Sequence, residues 1–150
     1  MKASNPYEIS TDRSRFDVDQ IHRFLSSCYW ATNIPRRVVE RSIEHSLCFG
    51  AFCGGQQIGF ARAITDYATF AYLADVFVVT EHRGRGVAQQ LIRAILDHPD
   101  LQGLRRILLA TEDAHGLYAR FGFQPLSHPE HFLTLHFPDV YRSADAGPAQ

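Results

Sequence analysis

Asp75-Val76-Phe77-Val78-Val79-Thr80-Glu81-His82-Arg83-Gly84-Arg85-Gly86-Val87-Ala88-Gln89-Gln90-Leu91-Ile92 reads as three elements in succession. A β-branched and aromatic run forms a buried strand. A glycine-rich turn follows. Then Val87, Leu91, Ile92, Ile95 and Leu96 form the apolar stripe of an amphipathic helix. This order aims backbone N–H groups and the positive end of a helix dipole at one spot. Such a spot suits a phosphate or pyrophosphate.

Upstream, Tyr72 to Val79 is a central strand. Leu47 to Cys53 and Gln57 to Thr65 are strand-like runs joined by Gly54-Gly55, a hairpin signal. Tyr67 to Phe70 makes the next turn. Before the hairpin, Val18, Ile21, Phe24 and Leu25 predict a helix over Asp17 to Ser26. Pro35 fits the first turn of a second helix reaching Glu44, with Val38, Val39 and Ile43 inward. Tyr7 to Ser10 reads as a short first strand.

Downstream, His98-Pro99 ends the helix. Arg106 to Ala110 is a short strand, and Ala114 to Phe121 a short helix stopped by Gly122. Phe132 to Phe137 is expected as a last strand, and Ser143 to Gln150 as a flexible tail. The order β-α-α-β-β-β-α-β-α-β predicts a mixed α/β or α+β fold in one domain over residues 1–150, with its core at about 7–137.

Composition narrows the function. The 150 residues carry a net charge of -1, so no global field draws the chain to nucleic acid or an anionic membrane. No apolar run nears the roughly 20 residues of a membrane helix, and the N-terminus has no signal-peptide core. Three cysteines, Cys28, Cys48 and Cys53, lack metal-ligand spacing. They read as reduced thiols, and the expected location is cytoplasmic, with no metal.

The glycine turn excludes two ligand classes. A Walker A loop needs G-x-x-x-x-G-K-[ST], and no such string occurs. A dinucleotide fingerprint needs a third glycine at 89, where Gln stands. An ordinary strand-to-helix turn remains open on Gly-x-Gly alone.

Arg83-x-x-Gly86-x-Ala88 resembles the acyl-CoA signature of the GNAT superfamily of N-acetyltransferases, with Val78-Val79 before it and Gly84 and Val87 extending the match. Ala114-x-x-Leu117-Tyr118-x-x-x-Gly122-Phe123 is similar to a second block of that family. The resemblance implies a mostly antiparallel twisted sheet with one splayed strand pair, flanked by helices. It implies that acetyl-CoA is the cosubstrate. Backbone groups of Val78 and Val79 would pair with its pantetheine arm. N–H groups from Arg83 or Gly84 through Ala88, Arg85 and Val87 included, would hold its pyrophosphate, with Arg83 and Arg85 adding charge at the rim. Many relatives carry Asn where Thr111 stands here, so Thr111 is a weaker cofactor contact. Asp113 reads as the cap of the helix that follows.

Acetyl transfer needs a neutral amine, a stabilised oxyanion and a proton for the leaving thiolate. An alkylamine of pKa about 10.4 is neutral only about once in 2,500 molecules at pH 7, so a base or a desolvating site is useful. The resemblance makes Tyr118 the candidate acid. Asp75, interrupting an apolar strand, is the candidate base; pairing with Arg62 is the structural alternative. Strand alternation places Asp75 on the face of Phe77 and Val79. His115, three residues before Tyr118, shares its helix face, and Trp30 is a candidate wall for the acceptor. The expected partner is a small-molecule or peptide amine, and the resemblance allows a homodimer. A noncatalytic acyl-CoA sensor on the same fold is the alternative function.

Overall fold

A computed structural model describes residues 4–142. The expected tail, 143–150, lies outside the described residues. Five strands form one sheet in the order β1-β2-β3-β4-β5. They are β1 (Tyr7–Ser10), β2 (Leu47–Cys53), β3 (Gln56–Thr65), β4 (Phe70–Val78) and β5 (Arg106–Leu109). The first four pair antiparallel, and β5 runs parallel to β4. The helices are α1 (Val18–Ser27), α2 (Arg36–Glu44), α3 (Val87–Asp97) and α4 (His115–Ala119). No described helix is long and apolar enough to cross a membrane.

Local chemistry explains these elements. Asp17 caps α1 by accepting from the Gln20 N–H at 3.0 Å. Ile21 and Leu25 of α1 meet Val39 and Ile43 of α2 on one face of the sheet, with Phe52, Phe60 and Phe77. On the other face α3 buries Val87, Leu91 and Ile95 against Phe49, Ala61 and Leu73. Gly54 and Gly55 both have positive φ, 57° and 81°, as a two-residue type I′ hairpin requires.

Two irregularities in β4 shape the site. Between the pairs Phe60↔Phe77 and Arg62↔Ala74 the register shifts, so Asp75 and Val76 together oppose Ala61. Asp75 carries the bulge at φ 57°, a left-handed conformation rare outside glycine. The extra residue flips the side-chain alternation. Leu73 and Val78 face α3, whereas Phe77 faces α1 and α2. Asp75 lies on the Phe77 side, in contact with Trp30. Val79 packs instead with the α3 cluster, so the expected shared face with Asp75 does not hold for Val79. Second, the β4–β5 pairing runs from Phe70↔Arg106 to Leu73↔Leu109 and stops, while β4 continues to Val78. This is the splay that the resemblance implied.

Two expected elements differ. Phe132 to Phe137 forms no strand; Leu133 and Leu135 are 97% and 89% exposed. A strand needs a neighbour for its backbone groups, and this segment has no ladder partner among the described residues. The helix expected over Ala114 to Phe121 is shorter, and Asp113 does not cap it. The Thr111 hydroxyl accepts the Ala114 N–H at 3.1 Å instead.

Burial also sets an alkaline limit. The Cys48 thiol is 2% exposed, and desolvation pushes it up to about 12. A raised folded value means stability that is present below the ordinary thiol range, about 8.5, and lost as pH rises toward 12. Urea unfolding is therefore expected to show stability falling from pH 9 upward, by up to about 1.4 kcal/mol per pH unit from this thiol. Cys48→Ala should flatten that slope; an unchanged slope would assign it to other groups.

Candidate active site

The site begins where β4 loses β5. The Val79 N–H donates to the Ile58 carbonyl at 2.9 Å, and the Val79 carbonyl accepts from the His82 N–H at 3.0 Å. Both backbone groups of Val79 are thus spent within the chain. In the antiparallel ladder the preceding residue, Val78, turns its N–H and C=O the other way, into the splay. Of the two valines expected at an extended ligand, only Val78 offers its backbone. Its carbonyl already has a partner: the Arg83 side chain donates from Nε at 2.9 Å.

The turn after β4 begins with a short 3-10 segment, Thr80–His82. His82 is tied to β1 by a 3.0 Å contact from Nδ1 to the Tyr7 hydroxyl. Gly84 and Gly86 then adopt φ of 76° and 81°, and Gly86 is the N-cap of α3 without any side-chain cap bond. A Cβ at either glycine would meet no protein atom within 4 Å, so both face an open cradle. The first N–H groups of a helix have no internal acceptor. The N–H groups of Gly84 through Ala88 find no acceptor among the described loop and side-chain bonds. Here the Val87 side chain is core, 2% exposed, so its contribution to the cradle is backbone only. Arg85 is exposed at the rim. Open space, free donors and a helix dipole fit a pyrophosphate.

On the α1/α2 face, Asp75 is held from two sides. Arg62 donates from Nε to Oδ2 at 2.9 Å, and its Nη1 reaches the Ser46 hydroxyl at 3.1 Å. The Trp30 indole N–H points to Oδ1 at 3.3 Å. The side chains of the Arg62–Asp75 pair are only 15% and 10% exposed. The pairing named as the structural alternative is therefore present. Cys28 adjoins this group: burial, then the Asp75 carboxylate, push its thiol up, while Arg83 pulls it down. Neither Cys28 nor Cys48 is tuned toward a nucleophilic thiolate.

Tyr118, Thr111 and His115 line one cavity of about 1150 Å³ beside β5, whose lining includes no residue of β4 or of the glycine turn. Tyr118 is 8% exposed, its ring edge-on to Phe123 at 5.7 Å. No described hydrogen bond involves its hydroxyl, and burial pushes the phenol above its ordinary value. His115 is exposed at the cavity edge. Desolvation, then the Glu112 and Asp113 carboxylates, raise the Tyr29 phenol. No described hydrogen bond joins Tyr118 to the Asp75 group. The Tyr7–His82 tie and the Ser46 anchor are long-range contacts with no sequence signal.

Three comparisons bear on this geometry. The model of the acetyltransferase (GNAT) family matches residues 15–123. A candidate acetyltransferase of Gibberella zeae is 32% identical, with 76% of each chain covered. The crystal structure of a candidate GNAT-family acetyltransferase from Xanthomonas campestris pv. campestris is 54% identical, covers 93% of this chain and 99% of its own, and superposes with a TM-score of 0.89. An acetyltransferase structure from Clostridium acetobutylicum, described with acetyl-CoA, shares the fold at a TM-score of 0.58 and 15% identity, covering 87% of this chain and 94% of its own.

Proposed function

Because the chain belongs to the acetyltransferase (GNAT) family, we propose that it moves the acetyl group of acetyl-CoA directly to a primary amine of a small molecule or peptide. The observation that carries this reading is the alignment of two open features on one path. The splay turns the Val78 backbone away from β3, its carbonyl held by Arg83, and the glycine turn opens a cradle at the start of α3. An extended arm and a pyrophosphate fit those two features in that order.

Each part of the chain then has a task. Gly84 through Ala88 offer N–H groups to the pyrophosphate. Val78 offers its N–H and C=O to the arm, or its N–H to negative charge developing on the acetyl oxygen. Acetyl-CoA supplies an activated thioester. Tyr118, still carrying its proton, gives it to the departing sulfur and is reprotonated by the second proton that the nitrogen sheds as the amide forms. Asp75, steadied by Arg62 and Trp30, takes the proton of the incoming ammonium directly or through water. Tyr29 and Trp30, edge-on at 5.1 Å with Trp30 against Asp75, offer aromatic faces that favour a cationic amine. A panel of amines with acetyl-CoA, followed by thiol release, tests the reading. Release with no member of a broad panel, despite CoA binding, would return the chain to a sensor.

Arg83 has two tasks that conflict. Its bond to the Val78 carbonyl occupies the acceptor that the pantetheine arm needs. It must leave that carbonyl as the arm enters, and the pyrophosphate is the nearest natural partner for its charge. Arg83→Ala is therefore expected to weaken acetyl-CoA binding about tenfold, the loss of one charged hydrogen bond. The same variant should bind S-acetylpantetheine, which lacks the pyrophosphate, as well as or better than the parent. Calorimetry with both ligands checks this, and equal weakening of both would refute the exchange.

A further inference from the structure

The chain after α4 carries a donor set that acetyl transfer does not use. In His128-Pro129-Glu130-His131, two imidazoles and a carboxylate fall on three of four successive residues. Pro129 opens a short 3-10 turn over Pro129–His131, and its ring fixes the backbone there. The turn gathers the three side chains. The His128 and His131 rings stack with centroids 4.7 Å apart and planes 12° apart. One Glu130 oxygen, Oε1, lies 3.2 Å from His128 Nδ1 and 4.0 Å from His131 Nε2. One ligand atom from each residue lies within 4.8 Å of the other two, and no other group of three His, Cys, Asp or Glu among the described residues achieves this. The family match ends at Phe123, before this turn. Cysteine spacing, which argues against a metal, does not bear on it.

The donors fit one class of ion. Imidazole suits zinc, copper and nickel, whereas magnesium and calcium prefer sets of oxygens. A tetrahedral zinc ion with bonds of about 2.0–2.1 Å holds neighbouring ligand atoms about 3.3 Å apart. The His128–Glu130 edge already has that spacing. His131 has to draw in, and the parallel rings have to tilt, because imidazole lone pairs lie in the ring plane. The three side chains are 63–67% exposed, so these rotations meet no packing. The ion also closes a chelate of only a few residues, at little entropic cost. We propose that His128, Glu130 and His131 form a zinc-class divalent metal site, with three protein ligands and a fourth position for water. His128 and His131 line the same cavity as Tyr118, Thr111 and His115. The next residue, Phe132, has its ring under the Arg106 guanidinium of β5 at 4.9 Å. An ion on this turn therefore fixes one lip of that cavity. The site does not depend on the proposed acetyl transfer.

Calorimetry and cobalt spectroscopy test the site without any activity assay. The untagged full chain, titrated with zinc chloride under a phosphine reductant, should bind one ion per chain with a Kd in about the micromolar range. Magnesium chloride should give no binding. His128→Ala and His131→Ala alter exposed side chains, so circular dichroism should not change, and each should weaken zinc at least about tenfold. The double variant should show no binding at the same concentrations. With Co2+ the parent should give the strong visible absorption of a four-coordinate site and no thiolate charge-transfer band. Absence of saturable zinc binding overturns the proposal. So does magnesium binding as tight as zinc, or zinc binding that survives the double variant. A thiolate band on the parent overturns it too, by assigning the ion to the cysteines.

Discussion

Tyr118→Phe is expected to lower kcat about a hundredfold while leaving the Kd for acetyl-CoA within about twofold, the signature of a lost general acid. The ring has little reason to move. It is 8% exposed and packed against Phe123, and phenylalanine fills the same space. Only the hydroxyl is lost, and it takes part in no described hydrogen bond. Burial raises the phenol above its ordinary value, so the proton stays in place across neutral pH. The same burial makes it a weaker acid. A thiolate leaving into that desolvated space becomes a stronger base for the same reason, so the match between donor and acceptor survives. The rate should therefore show no alkaline loss from Tyr118 below about pH 10. Steady-state kinetics of the two proteins on one amine, with calorimetry for acetyl-CoA, decide the matter. An unchanged kcat removes Tyr118 from the reaction.

Gly86→Val is expected to weaken acetyl-CoA binding about a hundredfold, with a much smaller loss of stability. Gly86 sits at φ 81°, where a side chain costs about 1–2 kcal/mol. For a chain of this length that is a fall in Tm of roughly 2–8 °C. The binding loss has a separate cause. A Cβ at Gly86 meets no protein atom within 4 Å, so it projects into the space assigned to the pyrophosphate. Losing one or two charged hydrogen bonds there, at about 1.5–3 kcal/mol each, gives the hundredfold. Gly103 supplies the control. Its φ is 78°, and a Cβ there is equally unobstructed, but it lies in the turn before β5. Gly103→Val should match the thermal loss and spare acetyl-CoA affinity. If both variants lose affinity alike, strain rather than the cradle explains the effect.

Most elements were legible because their signals are local. The α3 stripe and the Gly54-Gly55 hairpin each act within a few residues, and each appears where its pattern placed it. The last strand was misread for an instructive reason. Phe132 to Phe137 has strand composition, but composition cannot supply a neighbouring edge. Asp113 likewise has the right chemistry for a cap, yet the Thr111 hydroxyl reaches the helix start first. The face of Asp75 was recovered, but not that of Val79, because one bulged residue inverts strict alternation.

From sequence alone came the family, the order of elements, the glycine cradle and the identities of Tyr118 and Asp75 as candidates. The order of elements and the glycine turn follow from spacing along the chain, which the sequence records directly; the family and the choice of Tyr118 come from the resemblance that its two motifs carry. Tertiary structure alone decided that β4 parts from β5 after Leu73, that Val78 rather than Val79 faces the gap, and that Arg83 already fills it. It also decided that Asp75 is clasped by Arg62 and Trp30, residues 13 and 45 positions away. Such contacts depend on register and strand curvature. A single bulge at Asp75 sets both, and no local rule of sequence announces where a strand will bulge.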